Sequence, residues 1–172
     1  MVRITLTLVS LTILLAGCGS SASQGAPNDL LITYQWRDGT VPPPYHYQYT
    51  IQIQADGQGT IVMIPGYSAD DAPTWTEPFT LSQAELDQLY ATMVAQGLHR
   101  EPWRSEELPP IGGSSANLTV VANGRTTEIP SFPIERQQAQ AQAIMDAVRN
   151  SVPLAIFTDL MQRREQFIAE NS

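Results

Sequence analysis

A strict alternation of side chains between Tyr45 and Gln54 constrains the fold more than any other feature of this chain. Tyrosine and isoleucine occupy the odd-numbered positions up to 53, whereas histidine, threonine and glutamine occupy the even-numbered ones. Because successive side chains of a strand point to opposite faces, one face of this segment is apolar and the other is polar and uncharged. The pattern is typical of an antiparallel sheet that is covered on one side and solvated on the other.

The remaining predicted strands share this alternation or flank a tight turn, and they cover residues 30–37, 60–64, the neighbours of Leu118 and Val120, and 125–129. Asp56 to Gly59 and Asn123-Gly124 are predicted hairpin turns. Tyr67 to Pro78 and His99 to Ser115 are predicted loops, because proline, glycine and aspartate interrupt the alternation there. We therefore expect a small antiparallel sheet of about four or five strands.

Ser82 marks the beginning of the clearest helix. Ser82 and Glu85 have the spacing of a capping box, and Leu81 with Leu86 has that of a hydrophobic staple. Apolar residues then recur at helical spacing, at Leu86, Leu89, Tyr90, Met93 and Val94. Gly97 follows at a position that favours a left-handed cap, which predicts a helix over about 83–96.

Two more amphipathic segments are predicted to be helices, and Pro153 separates them. The first covers about 134–150, and the second contains Ile156, Phe157, Leu160, Met161 and Phe167. The order is therefore strands, helix, strands, helix, helix. We expect one globular α+β domain over residues 29–172, with the sheet packed on two or three helices.

The first 18 residues have the composition of a signal peptide. Arg3 supplies a short positive region, and an apolar run from Ile4 to Leu15 follows it. As a helix this run spans about 18 Å at ~1.5 Å per residue, well short of a ~30 Å hydrocarbon core. It therefore favours the apolar core of a signal peptide over a permanent transmembrane helix.

The run ends in Leu15-Ala16-Gly17-Cys18, which resembles the lipobox of bacterial lipoproteins. The resemblance implies cleavage between Gly17 and Cys18 and attachment of lipid to the Cys18 thiol. Acyl chains on Cys18 would hold the protein at a membrane of the cell envelope, facing outside the cytoplasm. The alternative is an ordinary secreted protein with a chance cysteine. The implied organisation is a signal peptide over 1–17, a lipidated cysteine with a flexible tether over 18–28, and then the domain.

The domain also carries a looser resemblance. Leu81 to Leu89 has the pattern L-S-x-x-E-L-x-x-L, and a Gly97-Leu98 exit, a second hairpin and a closing helix follow it. This arrangement is similar to that of several families of uncharacterised bacterial lipoproteins and, loosely, of the emfourin group of proteinaceous metalloprotease inhibitors. The similarity spans about residues 30–150, and we assign no inhibitory residue from it.

Charge argues against two classes of partner. The formal net charge is −8 and the chain contains no lysine, whereas nucleic acids and anionic lipid headgroups attract basic surfaces. The partners we expect are the membrane, through the lipid anchor, and a protein in the envelope. The loop tryptophans Trp75 and Trp103 are the candidate interaction surface, because clustered aromatic side chains contribute strongly to protein binding.

The search for catalytic motifs assigns no residue. His46 and His99 lack the spacing of a zinc site, so neither a metal nor any cofactor other than lipid on Cys18 is expected. Gly112 to Ser115 precedes a strand and lacks the strand-turn-helix setting of a nucleophilic serine. Asp70 and Asp71 are interpreted as part of a solvated loop, although a pair of glycosidase carboxylates stays open.

These observations favour a lipid-anchored envelope protein whose domain binds another molecule and catalyses nothing. Two alternatives remain. The first is an envelope hydrolase acting on sugars or peptides, which requires His46 or His99 to share a pocket with Asp70 or Asp71. The second is a structural subunit of an envelope complex, which requires a contiguous exposed apolar surface on the last helix.

Overall fold

The computed structural model describes residues 25–43, 45–67 and 72–171. Gly17, Cys18 and the pair Asp70 and Asp71 lie outside the described residues. Within them, six strands and three helices follow one another as β1 (Leu31–Arg37), β2 (Tyr47–Gln54), β3 (Gln58–Pro65), β4 (Trp75–Thr80), α1 (Gln83–Ala95), β5 (Ser115–Ala122), β6 (Arg125–Ile129), α2 (Glu135–Ser151) and α3 (Leu154–Asn171). No described helix has the length and hydropathy needed to cross a membrane.

The strands form one antiparallel sheet in the order β4-β3-β2-β1-β5-β6. α2 contacts β1 and β5, α3 contacts β3, and α1 packs against α2. All three helices therefore lie over one face of the sheet. The predicted α+β class and the antiparallel sheet that is covered on one side are confirmed.

The predicted strand count is wrong, because the sheet has six strands rather than four or five. The additional strand is β4, which begins within the segment Tyr67 to Pro78 that the sequence predicted as a loop and ends at Thr80. Pro78 lies within β4 opposite Thr60 of β3. A proline is tolerated there because β4 is an edge strand, which needs backbone hydrogen bonds on one side only. The predicted order of elements lacked this strand.

The core lies between the sheet and the helices. From the sheet it receives the alternate residues of β1, β2, β3 and β5, including Ile32, Ile51, Ile61 and Val120, all fully buried. From the helices it receives Leu86, Leu89, Tyr90 and Met93 of α1, Ile144 and Val148 of α2, and Leu160 of α3. Val94, which was predicted in the apolar stripe of α1, is instead 43% exposed. It lies beyond the margin of the face that packs against the core.

The capping box predicted for α1 is present. The Ser82 backbone N–H donates to Glu85 Oε2 over 2.7 Å, and the Glu85 N–H donates to Ser82 Oγ over 3.3 Å. These two bonds satisfy amide groups that have no partner within the helix. The Ser82 hydroxyl also donates to Glu85 Oε2 over 2.7 Å, and this bond, followed by the bond from the Ser82 backbone N–H, lowers the pKa of Glu85.

The residues before β1 are attached to the domain. The Ala26 backbone N–H donates to Asp87 Oδ1 over 2.8 Å, so the last part of the predicted tether contacts α1. The Asp29 carboxylate accepts hydrogen bonds from the backbone amides of Asn123 and Gly124, at 2.7 and 2.6 Å. The chain therefore enters the domain at the end of the sheet where β1 begins and the β5–β6 hairpin turns.

Candidate functional site

The face of the sheet away from the helices, which we call the open face, is polar and almost uncharged. None of its strand residues is buried. Arg37 and Glu128 are the charged residues among those that the strands place on it. Most of the others are threonine, glutamine, serine or asparagine: Thr33, Gln35, Gln48, Thr50, Gln52, Gln54, Gln58, Thr60, Thr76, Thr80, Ser115, Asn117, Thr119 and Thr126. The chain as a whole is only 15% charged, and this face likewise has few charged residues.

Six side chains on the open face form two rows across the central strands. Arg37 of β1 lies opposite Gln48 of β2 and Ser115 of β5 in the first row, and Gln35 lies opposite Thr50 and Asn117 in the second. Side chains directly opposite each other are ~5 Å apart, and alternate residues of one strand are ~7 Å apart. We call this group of six, which covers about 10 by 7 Å, the polar grid.

Arg37 is the cation of the polar grid. Its Nε donates to Ser115 Oγ over 3.0 Å, which orients the guanidinium group across the β1–β5 pair. Among the described residues no carboxylate forms an ion pair with Arg37, whereas Arg136 and Arg149 each have one such partner and Arg163 has two. A guanidinium group offers five N–H donors in a planar fork. Arg37 therefore keeps donors that can bind an anion.

Two adjoining cavities of about 410 Å³ each lie at this site. One lies over the polar grid, and the other extends past the end of the grid from its first row. They share Arg37, Gln48 and Ser115, and together they form a groove. Its far wall contains His46, whose ring stacks on Tyr67 with centroids 4.0 Å apart and planes 6° apart. The Tyr67 hydroxyl donates to the Val41 carbonyl over 2.7 Å. These contacts position the His46 and Tyr67 rings in the wall.

The two histidines lie in separate environments. His46 Nδ1 is 3.3 Å from the Gly39 carbonyl oxygen, just beyond the end of β1. His99 Nδ1 is 3.1 Å from Thr127 Oγ1. Thr127 of β6 pairs with Val120 of β5, which pairs with Ile32 near the start of β1. The distance along the strands between these two positions is about 20 Å at ~3.3 Å per residue. Burial, and then the charge of Arg125, lowers the pKa of His99.

The described residues contain no group of three or more histidine, cysteine, aspartate or glutamate side chains that could hold a metal ion. Each histidine instead contacts a neutral oxygen, the Gly39 carbonyl or the Thr127 hydroxyl. Ser115, from the glycine-serine segment, contacts Arg37 rather than a base. The groove also contains the Asp38 carboxylate, which accepts a hydrogen bond from the Gly39 backbone N–H over 2.9 Å, and the aliphatic side chains of Val62 and Ile64.

The structure does not bring the two candidate tryptophans together. Trp75 begins β4 opposite Met63 and packs against the core on the helix-covered side. Trp103 donates from Nε1 to the Leu98 carbonyl over 3.2 Å and borders a cavity of about 570 Å³ that also contains Asn117. Four strand spacings of ~4.8 Å separate β4 from β5, or about 19 Å. Trp103 therefore lies next to the polar grid, whereas Trp75 does not.

The sequence did not single out the polar grid. The uncharged polar face of β2 was visible in its alternation, and the same alternation placed Gln35 and Arg37 on one face of β1. Nothing in the sequence showed that β5 lies beside β1, because 78 positions separate Ser115 from Arg37. One sequence feature could have indicated the grid. β1, β2 and β5 all have amide or hydroxyl side chains at alternate positions.

No protein-family model matches this chain, and the comparison with curated proteins finds no similar sequence. The resemblance to bacterial lipoproteins and to the emfourin group therefore stays a prediction. The open face and its polar grid are the observations from which a function can be inferred.

Proposed function

We propose that this protein is lipid-anchored in the cell envelope through Cys18 and that its domain binds a ligand on the open face without catalysing a reaction. One observation carries the binding role, which is the polar grid with Arg37 in a row between Gln48 and Ser115. The helices cover the opposite face of the sheet, so none of them covers the grid. The anchor rests on the lipobox resemblance.

The chemistry of the grid supports binding rather than catalysis. Its amide, hydroxyl and guanidinium groups donate and accept hydrogen bonds, and none is a general base near neutral pH. The nearest histidine, His46, stacks on Tyr67 and contacts a backbone carbonyl. The sequence alternative of a hydrolase needed a histidine beside Asp70 or Asp71, and those two residues lie outside the described part of the chain.

The place where the chain enters the domain supports a grid that lies at a distance from the lipid anchor. Ala26 and Asp29 are fixed at the end of the sheet where β1 begins. Arg37 lies at the other end of β1, seven residues after Leu30, or about 23 Å at ~3.3 Å per residue. A ligand from outside the anchoring leaflet can therefore reach the grid without passing the point of attachment.

A protein partner is a second candidate, and one loop favours it. Leu108 and Ile111 are almost completely exposed, and Pro110 between them lines the groove. Exposed apolar side chains at a rim are common in protein interfaces. The structural-subunit alternative has less support, because the large apolar residues of α3 mostly pack against the core: Ile156, Phe157, Leu160 and Met161. Leu154 is the one large apolar residue of that helix that is largely exposed.

Site-specific photo-crosslinking in native membranes tests the proposal. A photoreactive residue is placed at Thr50, in the polar grid, or at Gln138, an exposed residue of α2 on the other side of the molecule. We expect adducts from position 50 and none from position 138. Equal labelling at both positions, or labelling at 138 alone, would contradict binding on the open face.

A further inference from the structure

We infer that the polar grid binds a glycan that contains a sugar with a carboxylate group. This inference rests on the proposed function and names the ligand class of the same site. It combines two features of the grid, a uniform set of neutral hydrogen-bonding groups and one cation held at a defined position.

The neutral part of the grid fits the hydroxyl groups of a sugar. Gln35 and Asn117 each offer an amide oxygen and an NH₂ group, Thr50 offers a hydroxyl, and the Ser115 hydroxyl, which accepts from Arg37, can still donate. Such groups can donate to one sugar hydroxyl and accept from the next. A neutral group also loses less solvation energy than an ion when a neutral hydroxyl covers it. A face so poor in ions is therefore suited to a polyhydroxylated ligand.

Arg37 adds the preference for a carboxylate. The Ser115 hydroxyl occupies its Nε, and its side chain forms no ion pair with any described residue. A guanidinium fork binds a carboxylate through two parallel N–H···O bonds, which are stronger than neutral hydrogen bonds. The chain as a whole carries a net charge of −8, so long-range attraction does not bring an anion to this site. Recognition must come from the short-range contact with Arg37.

The size and shape of the groove fit a short stretch of a sugar chain. Each of its two cavities has a volume of about 410 Å³, within the ~300–1,000 Å³ of sites that hold small ligands. They adjoin one another through Arg37, Gln48 and Ser115. Trp103 borders the neighbouring cavity beside Asn117.

Other anionic or extended ligands fit less well. A nucleic acid or a phosphorylated surface requires several cations, and the strands place Arg37 as the one cation on the open face. An extended peptide adds to the edge of a sheet, and the edges here are β4 and β6 rather than the strands of the grid. The side chains of Leu108 and Ile111 project from the loop next to the groove and do not line it.

Calorimetric titration of the mature lipidated protein in detergent micelles tests the inference with three probes of equal length. These are tetragalacturonate, which carries carboxylates, maltotetraose, which is neutral, and tetraglutamate, which carries carboxylates on a peptide. We expect tetragalacturonate to bind more tightly than either of the others. Arg37→Gln should weaken its binding about tenfold or more, because a charge-assisted bond is lost. The matched change Arg100→Gln, at an exposed arginine after α1, should leave it unchanged.

The neutral part of the grid has its own variants. Gln35→Ala and Asn117→Ala should each weaken tetragalacturonate binding several-fold, and Gln138→Ala should not. These side chains are exposed, so circular dichroism should show the fold intact in every variant. Equal binding of maltotetraose or tetraglutamate, no binding of tetragalacturonate, or equal effects of Arg37→Gln and Arg100→Gln would overturn the inference. If crosslinking at position 50 persists in any of those cases, the proposed function stands and only the ligand class is wrong.

Discussion

Replacing Gly57 with alanine should destabilise the fold far more than the same change at Gly124, and the structure explains why. Both glycines lie in hairpin turns with a positive φ, +81° at Gly57 and +69° at Gly124. A Cβ at Gly124 would meet no atom within 4 Å, whereas a Cβ at Gly57 would overlap the Leu81 carbonyl oxygen. The two variants therefore share the cost of the backbone conformation and differ in the steric clash.

The expected magnitudes follow from these contacts. The left-handed conformation lowers the free energy of unfolding of an alanine variant by about 1–2 kcal/mol. The lower conformational entropy of the unfolded alanine variant offsets about 0.4–1 kcal/mol of this loss. Gly124→Ala should therefore lose about 1 kcal/mol. At Gly57 the clash adds about 1–3 kcal/mol, and shifting the backbone threatens the 2.9 Å bond from the Leu81 N–H to the Gly57 carbonyl, a further ~0.5–1.5 kcal/mol. Gly57→Ala should lose roughly 3–5 kcal/mol.

Urea denaturation of the full-length chain, followed by far-ultraviolet circular dichroism, measures both free energies of unfolding. At ~2–4 °C per kcal/mol for a chain of this size, Gly57→Ala should lower Tm by roughly 10 °C or more and Gly124→Ala by a few degrees. The site matters because Gly57 joins the β2–β3 hairpin to the segment that leads into α1. Equal losses of stability in the two variants would refute the packing assigned to this turn.

Three further outcomes are expected. Leu89→Ala should lower the free energy of unfolding by about 2–5 kcal/mol, since Leu89 is buried in α1, while the exposed neighbour change Gln88→Ala should cost little in the same urea titration. Hydrogen bonds from the Gly124 and Asn123 amides lower the pKa of Asp29, so its stabilising effect is present above its ordinary value of 3.8 and is lost as pH falls through the folded pKa. The stability difference between wild type and Asp29→Asn should therefore shrink in acid, and a difference independent of pH would contradict it. Cys18→Ala should release the protein from membranes or leave an uncleaved precursor, whereas an unmodified Cys18 in membrane-derived wild type, seen by mass spectrometry, would disprove the anchor.

Local patterns predicted the elements whose residues carry their own signal. The alternation from Tyr45 to Gln54 predicted a strand with one covered face, and Ser82 with Glu85 predicted the capping box of α1. β4 was missed because Pro78 and the aspartates before it indicate a loop when the segment is considered alone. The strand forms because β3 lies beside it and supplies the backbone partners from Gln58 to Met63.

The candidate site depended on contacts between distant segments. Gln35 and Arg37 could be placed on one face of β1 from the sequence, but their neighbours Ser115 and Asn117 are contributed by β5, far along the chain. The tryptophans show the opposite case. Trp75 and Trp103 were grouped by chemistry, but Trp75 lies in the edge strand β4 and Trp103 lies beside β5, four strand spacings away. Side-chain periodicity is a property of one segment, so the sequence by itself determined which face of each strand is polar. Strand order and register are set jointly by all the apolar residues that must be buried against the helices, so only the tertiary structure decided which polar side chains became neighbours.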